Sequence, residues 1–303
     1  MSKLIIEGGT PLKGEFTVAG AKNAATKLIA ASLLTPESVT IHNVPKVSAV
    51  EVMLEALQFL GVKTDWAGEN EIRIQANEIT SKALPSSIVE KCPATFLFFG
   101  ALLARLGEAA LPNIYPVDRH ISSLEKLLHK KIPQENNFFH AQGELVGATV
   151  NFIKSTHSGT ENAILAASLA KGKTILQNAA EEPEVNNLID MLNSMGVKIS
   201  RIAPRVIEIE GVENLSGTEI FVMPDRIEAG IIAIAAAVTH GDIMLKGAKS
   251  EDFTSFLKKL EAVGVSFSVL PEGIRVWVET GTSLKPTEIE TRPHPGFMSD
   301  WVP

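Results

Sequence analysis

Three Gly-Val pairs, Gly61-Val62, Gly196-Val197 and Gly264-Val265, each close an amphipathic helix pattern and open a strand pattern. The residues 11, 8, 7, 4 and 1 positions before each glycine are apolar. They are Val50, Met53, Leu54, Leu57 and Leu60 in the first case, and Val185, Leu188, Ile189, Leu192 and Met195 in the second. In the third they are Phe253, Phe256, Leu257, Leu260 and Val263. Such spacing puts five side chains on one helix face and makes the glycine a left-handed C-cap. Each copy continues into two strands, the second reading Ile72-Arg73-Ile74, Val206-Ile207-Glu208-Ile209 or Ile274-Arg275-Val276-Trp277-Val278. An amphipathic helix alone does not predict that shared continuation, so the chain is built from an internal repeat.

Gly196 and Gly264 are 68 residues apart and Gly61 and Gly196 are 135 apart, so a further copy should lie near residue 128. It does, in worn form: Val117, Ile121, Leu124 and Leu127 keep the offsets, while His120 replaces an apolar residue and Leu128 the glycine. Upstream, each copy carries a helix of small residues, over 24–34, 94–106, 159–170 and 230–238. A strand follows in three of them, at Val39-Thr40-Ile41, Thr174-Ile175-Leu176 and Asp242-Ile243-Met244-Leu245. The unit is strand, helix, strand, helix, strand, strand, in about four copies. A fifth begins around Pro295-Gly296-Phe297-Met298-Ser299-Asp300, where Asp300 takes the sequence role of Asp225 in the fourth, and stops at Trp301-Val302-Pro303. The expectation is an unfinished second domain, either part of a longer polypeptide or completed by self-association or a complementing chain.

Composition narrows the function. Hydrophobic content of 45% over 303 residues and a mean hydropathy of +0.15 predict a folded core large enough for two domains. The net charge of −7 argues against nucleic acid or an anionic membrane as partner, so an anionic ligand must be held by a few local cations and backbone amides. The most apolar runs, 96–104 and 229–238, are much shorter than the roughly 20 residues of a membrane span, and 1–7 reads as a short strand pattern rather than a leader. A cytoplasmic protein is expected. Cys92 is the single cysteine and the seven histidines lack ligand spacing, so neither a metal nor a cofactor is expected.

Gly20-Ala21-Lys22-Asn23-Ala24-Ala25 joins the strand pattern of residues 16–18 to the first small-residue helix. A small-residue turn into a helix aims unpaired backbone N–H groups at one spot, and a cation there is unfavourable unless an anion sits between. A surface lysine at an ordinary helix start is the other reading. Its place at the head of a repeated unit favours an anion site.

That stretch, together with Asn178-Ala179-Ala180-Glu181-Glu182-Pro183-Glu184, Pro224-Asp225-Arg226-Ile227-Glu228 and Pro293-His294-Pro295-Gly296-Phe297, resembles the bacterial UDP-N-acetylglucosamine enolpyruvyl transferases, relatives of 5-enolpyruvylshikimate-3-phosphate synthase. The resemblance runs over the whole chain. It implies an α/β fold of inside-out α/β barrels, six units in two domains, with about four and a half units present here. One complete domain would span 22–222, and 1–21 with 223–303 would form an incomplete one. The implied substrates are phosphoenolpyruvate and UDP-N-acetylglucosamine, the acceptor being its 3′-hydroxyl. By matching position, Lys22 and Asn23 contact phosphoenolpyruvate and the sugar. Pro116, Val117 and Asp118 receive the uracil end, Tyr115 and Arg119 beside them are further substrate-binding positions, and Lys154, Ser155, Thr156 and His157 line the diphosphate. Asp300 approaches the 3′-hydroxyl as base, making Lys22 and Asp300 the expected catalytic pair. Alternatively, Asp118 is a plain N-cap and His157 a polar loop residue.

The sequence also departs from the family pattern. The segment Leu111-Pro112-Asn113-Ile114-Tyr115-Pro116 is short and carries neither the cysteine nor the aspartate that the family uses as general acid. Pro93 and Tyr115 stand where arginines are expected, and Cys92 reads as a structural thiol in another segment. These departures raise an alternative, an impaired or split member that binds a UDP-sugar without turnover.

Overall fold

The computed structural model describes residue 3, residue 5 and residues 7–302; the strand pattern over 1–7 falls largely outside them. The repeat is visible as four successive runs of one element order. The first is β1 (Lys13–Thr17), α1 (Lys22–Ala31), β2 (Ser38–His42), α2 (Ser48–Phe59), β3 (Lys63–Gly68) and β4 (Glu71–Gln75). The second opens with a one-turn α3 (Ser86–Val89) and continues as α4 (Leu97–Leu106), β5 (Glu108–Pro112), α5 (Asp118–Leu128), β6 (Gln134–Glu135) and β7 (Phe138–Gln142). The third is β8 (Thr149–Asn151), α6 (His157–Ala167), β9 (Lys173–Gln177), α7 (Pro183–Ser194), β10 (Lys198–Ala203) and β11 (Val206–Glu210). The fourth is β12 (Thr218–Phe221), α8 (Arg226–Val238), β13 (Asp242–Lys246), α9 (Thr254–Val263), β14 (Ser266–Leu270) and β15 (Gly273–Trp277).

The helix faces fall where the spacing puts them. Fourteen of the fifteen offset residues are buried and Val263 is half-buried. Gly61, Gly196 and Gly264 have φ of 88°, 108° and 98°, the left-handed region that a residue without Cβ enters at no steric cost. The worn copy is displaced by one residue, because α5 runs through Leu128 and His129 takes the left-handed turn with φ 52°. One strand escaped the sequence pattern. Glu108-Ala109-Ala110-Leu111-Pro112 has poor strand propensity, yet it forms β5 because it pairs antiparallel with β7, from Glu108 opposite Gln142 to Pro112 opposite Phe138.

The chain divides into two compact units, residues 20–223 and residues 1–19 with 224–303. In the larger unit the sheets run β12-β2-β4-β3, β5-β7-β6 and β10-β11-β9-β8, and in the smaller β1-β13-β15-β14. The first strands of repeats one and four are exchanged. β12 lies parallel to β2, Thr218 opposite Val39, and β1 lies parallel to β13, Lys13 opposite Asp242. Within the larger unit the sheets are half-exposed, with alternating burial along β4 and β11. Helices α1 and α6 are buried on nearly every side. Helices inside and sheets outside is the inside-out α/β arrangement. The close approach of α4 to α6 is set by Gly100, whose missing Cβ would lie 2.1 Å from Asn162 Oδ1. Among the described residues no helix is long and apolar enough to cross a membrane.

Candidate active site

Within the larger unit, the starts of α1 and α6 open on one cavity of about 410 Å³. Helix α1 begins without a side-chain cap: its N-cap is Ala21, and its first turn holds no acidic residue. The N–H groups of such a turn are donors for a ligand, and the helix dipole adds attraction for negative charge. Lys22 is exposed at this end, with half-buried Asn23 beside it. Across the cavity stands the start of α6, where Thr156 caps the helix by accepting the Gly159 amide at 3.3 Å, and His157 and Ser158 form the wall.

The remaining wall is Cys92, Pro93, Ala94 and Phe96, with Tyr115, Pro116 and Val117. Tyr115 Oη donates to the Glu90 carbonyl at 2.8 Å, which ties the 115–117 segment to the turn before Cys92. Cys92 is buried at the start of a helical turn, in a segment apart from 111–116 as read from the sequence, and it also lines the same cavity as Lys22.

Six of the expected site residues, Lys22, Asn23, Tyr115, Pro116, Val117 and His157, come together here. The others do not line this cavity. Asp118 and Arg119 are exposed on the first turn of α5; the N-cap position is Val117, so Asp118 is not that cap. Thr156 is spent on capping. Ser155 Oγ accepts from Arg205 Nη1 at 3.0 Å, and Lys154 is exposed. Asp300 is exposed in a single helical turn, Ser299–Trp301, of the smaller unit.

The cavity floor holds a charge array that motif reading passed over. Lys27 of α1 and Glu161 of α6 are 4% and 0% exposed, with Nζ 3.4 Å from Oε1. Glu161 Oε2 lies 3.8 Å from His157 Nδ1, beyond hydrogen-bond length, and among the described residues neither Glu161 oxygen has a hydrogen-bond partner. The signal was available: a lysine and a glutamate inside helices that are otherwise apolar and small, where a charge is rarely buried unless paired.

Two histidines flank this array in opposite states. The pull of the Glu161 carboxylate raises His157 above its ordinary 6.5, against desolvation and the repulsion of Lys27. Burial lowers His120 to about 4, with Glu161 opposing and His157 and Arg119 adding to the fall. His120 Nδ1 lies 3.1 Å from Asn162 Nδ2. The amide is oriented by the Gly100 N–H it accepts at 3.0 Å and the Phe96 carbonyl it donates to at 3.4 Å. Nδ1 is thus an acceptor, and protonating it would break the contact. One wall therefore presents an imidazole biased toward the cation and another a neutral one.

Comparison with known proteins adds the following. The family model described as EPSP synthase (3-phosphoshikimate 1-carboxyvinyltransferase) matches residues 6–303. The chain is 40% identical over 312 residues to UDP-N-acetylglucosamine 1-carboxyvinyltransferase 1 of Staphylococcus aureus strain N315, covering 99% of this chain and 73% of that protein. It is likewise 40% identical over 311 residues to UDP-N-acetylglucosamine 1-carboxyvinyltransferase 2 of Staphylococcus saprophyticus, with the same coverage. Among solved structures, the enolpyruvyl transferase NikO from Streptomyces tendae superposes with a TM-score of 0.87 at 18% identity, over 98% of this chain and 72% of that one. EPSP synthase from Acinetobacter baumannii gives 0.68 at 18% identity, over 89% and 65%. At such identity the structural likeness is one of fold.

Proposed function

Given that the chain belongs to the EPSP synthase family of carboxyvinyl transferases, we propose that it moves the enolpyruvyl group of phosphoenolpyruvate to the 3′-hydroxyl of UDP-N-acetylglucosamine, at the start of peptidoglycan synthesis. The observation that carries this reading is the uncapped N-terminus of α1, with Lys22 and Asn23, opening on a cavity whose opposite wall is the start of α6. The 40% identity to transferases named for that sugar nucleotide favours it over shikimate 3-phosphate as acceptor. Nothing in those relatives favours a UDP-sugar binder without turnover.

In this reading the 3′-oxygen adds to C2 of phosphoenolpyruvate as C3 takes a proton. The tetrahedral intermediate then loses phosphate and a C3 proton, leaving the enol ether. Lys22, Asn23 and the α1 amides hold the phosphate and stabilise the charge it carries away. Asp300 takes the base's role by its match alone, and Asp118, Arg119, Lys154 and Ser155 keep the substrate contacts that the family pattern assigns, while the Thr156 hydroxyl stays on the cap of α6. Tyr115, engaged with the Glu90 carbonyl, anchors its segment. Both substrates are multiply charged and membrane-impermeant, which fits work in the cytoplasm.

Phosphate release in the presence of both substrates tests the assignment. Release that requires both is the expected result, and none above background at millimolar substrate would remove it.

A further inference from the structure

Lys27, Glu161 and His157 form a line of alternating charge from the cavity floor to its wall, and packing alone gives no account of it. Buried ion pairs are weak sources of stability, because desolvating the two charges offsets most of their attraction. An apolar pair of similar size would serve α1 and α6 at least as well. Glu161 is fully buried, lines the cavity, and among the described residues has neither oxygen hydrogen-bonded. His157, in contrast, has a side chain 56% exposed and stands in the same cavity wall as Lys22. The pair lies at the buried floor of the cavity, and the imidazole is the exposed end of the array.

We propose that His157 is a second cationic ligand, beside Lys22, for the dianionic phosphate group bound at the start of α1, with Glu161 and Lys27 as positioning residues that hold its ring and its charge. This rests on the phosphoenolpyruvate reading above. Lys27 fixes Glu161 from below, and Glu161 keeps the imidazole protonated and turned toward it. The other groups facing His157 are Glu182, ahead of α7, which reinforces the cation, and His120 of α5. His120 opposes it only when charged, and burial holds it neutral near pH 7. Affinity for a phosphate dianion should therefore fall as pH rises through the His157 transition, which lies above 6.5.

The test is calorimetric binding of phosphoenolpyruvate and of inorganic phosphate to the full chain between pH 6.5 and 9, with imidazole titration by NMR. Wild type should bind about tenfold more tightly at the low end than at the high end, the size of one charge-assisted contact. His157→Gln should lose that gain at low pH and match wild type at high pH. The ligand's own ionisation is common to both proteins and cancels in the ratio. Glu161→Gln should move the transition to lower pH. It leaves Lys27 buried without its partner, so the double variant Lys27→Met with Glu161→Gln gives the same readout in a fold free of that strain. A His157→Gln protein with the wild-type profile, or an imidazole that titrates identically in the double variant, overturns the proposal while leaving the phosphoenolpyruvate reading intact. Absence of binding by every form at millimolar ligand overturns both.

Discussion

Helices α1 and α8 hold the same place in the first and fourth repeats and have similar small-residue sequences, yet their N-termini are built differently. Helix α8 is closed by its own chain. Asp225 accepts the amides of Ile227 at 2.8 Å and Glu228 at 3.2 Å, and Glu228 Oε2 takes the Ala19 amide at 2.7 Å. Arg226 is buried, its guanidinium 5.9 Å from the centre of the Trp301 ring. At α1 the cap position is Ala21, no carboxylate occupies the first turn, and Lys22 faces the cavity. A repeat fixes a helix's packing face because every copy must bury it, whereas the N-terminal turn can be sealed or left for a ligand. Of these two helix starts, the one without a side-chain cap is the one that opens on the cavity.

The two helices differ in burial as well. Residues Ala24 to Ala31 of α1 are all buried, whereas Ile231 and Val238 of α8 are largely exposed. The largest expected effect breaks the comparison at this point. Ile29→Ala should cost about 2–5 kcal/mol in denaturant unfolding, through lost transfer energy and the cavity left behind. Ile231→Ala, at 52% exposure, should cost less than about 1 kcal/mol. Equal losses would mean that the outer face of α8 is covered in solution.

Acid sharpens the contrast between the units. Unfolded His120 takes up its proton near 6.5, whereas the folded residue resists until about 4. The unfolded state binds more protons between those values, so stability is lost as pH falls through that window, by about 3 kcal/mol at its end. His157 works in the opposite sense: its raised pKa contributes stability below 6.5 that is lost as pH climbs through the folded value. Among the described residues the smaller unit buries no histidine. Protection factors in α1, α5 and α6, taken relative to intrinsic exchange at each pH, should fall between pH 6.5 and 4 while those of α8 do not follow, and His120→Gln should flatten the response.

At the ligand, Lys22→Met should weaken phosphoenolpyruvate binding about 10- to 100-fold, the loss of one charge-assisted contact of roughly 1.5–3 kcal/mol. Stability should hold or rise by a few tenths of a kcal/mol, since a cation leaves the positive end of a helix. A variant with unchanged affinity would return Lys22 to an ordinary surface residue at a helix start.

The contrast also explains what could be read from the sequence. Val50, Met53, Leu54, Leu57 and Leu60 were legible because spacing along one helix decides which side chains are buried. Lys22 was singled out as a cation at a small-residue helix start heading a repeated unit, and the structure places it on the cavity. Glu161 was legible only in part: a charge in an apolar helix signals a buried pair, but its partner Lys27 lies on another helix and spacing along one helix does not name it. Tyr115 was expected at the site, but its tie to the Glu90 carbonyl, close in sequence to Cys92, is one that no periodicity encodes. β5 was missed because its strand character comes from β7 and not from its own residues.

The smallest effect bears directly on capping. Asp225→Ala removes the side chain that accepts two amides at the start of α8. It should cost about 1 kcal/mol and no more than about 2, with faster exchange confined to the first turn of that helix. Asp225→Ser should recover most of the loss, because a hydroxyl accepts the same amides without the charge. At α1, on the proposal that a ligand takes the cap's place, phosphoenolpyruvate should produce the protection that Asp225 gives α8 permanently. Slower exchange at Asn23 and Ala24 on adding phosphoenolpyruvate, with no change at Ile227 and Glu228, is the pattern that supports equating a missing cap with a binding site. Protection that appeared equally at both helix starts would undo that equation.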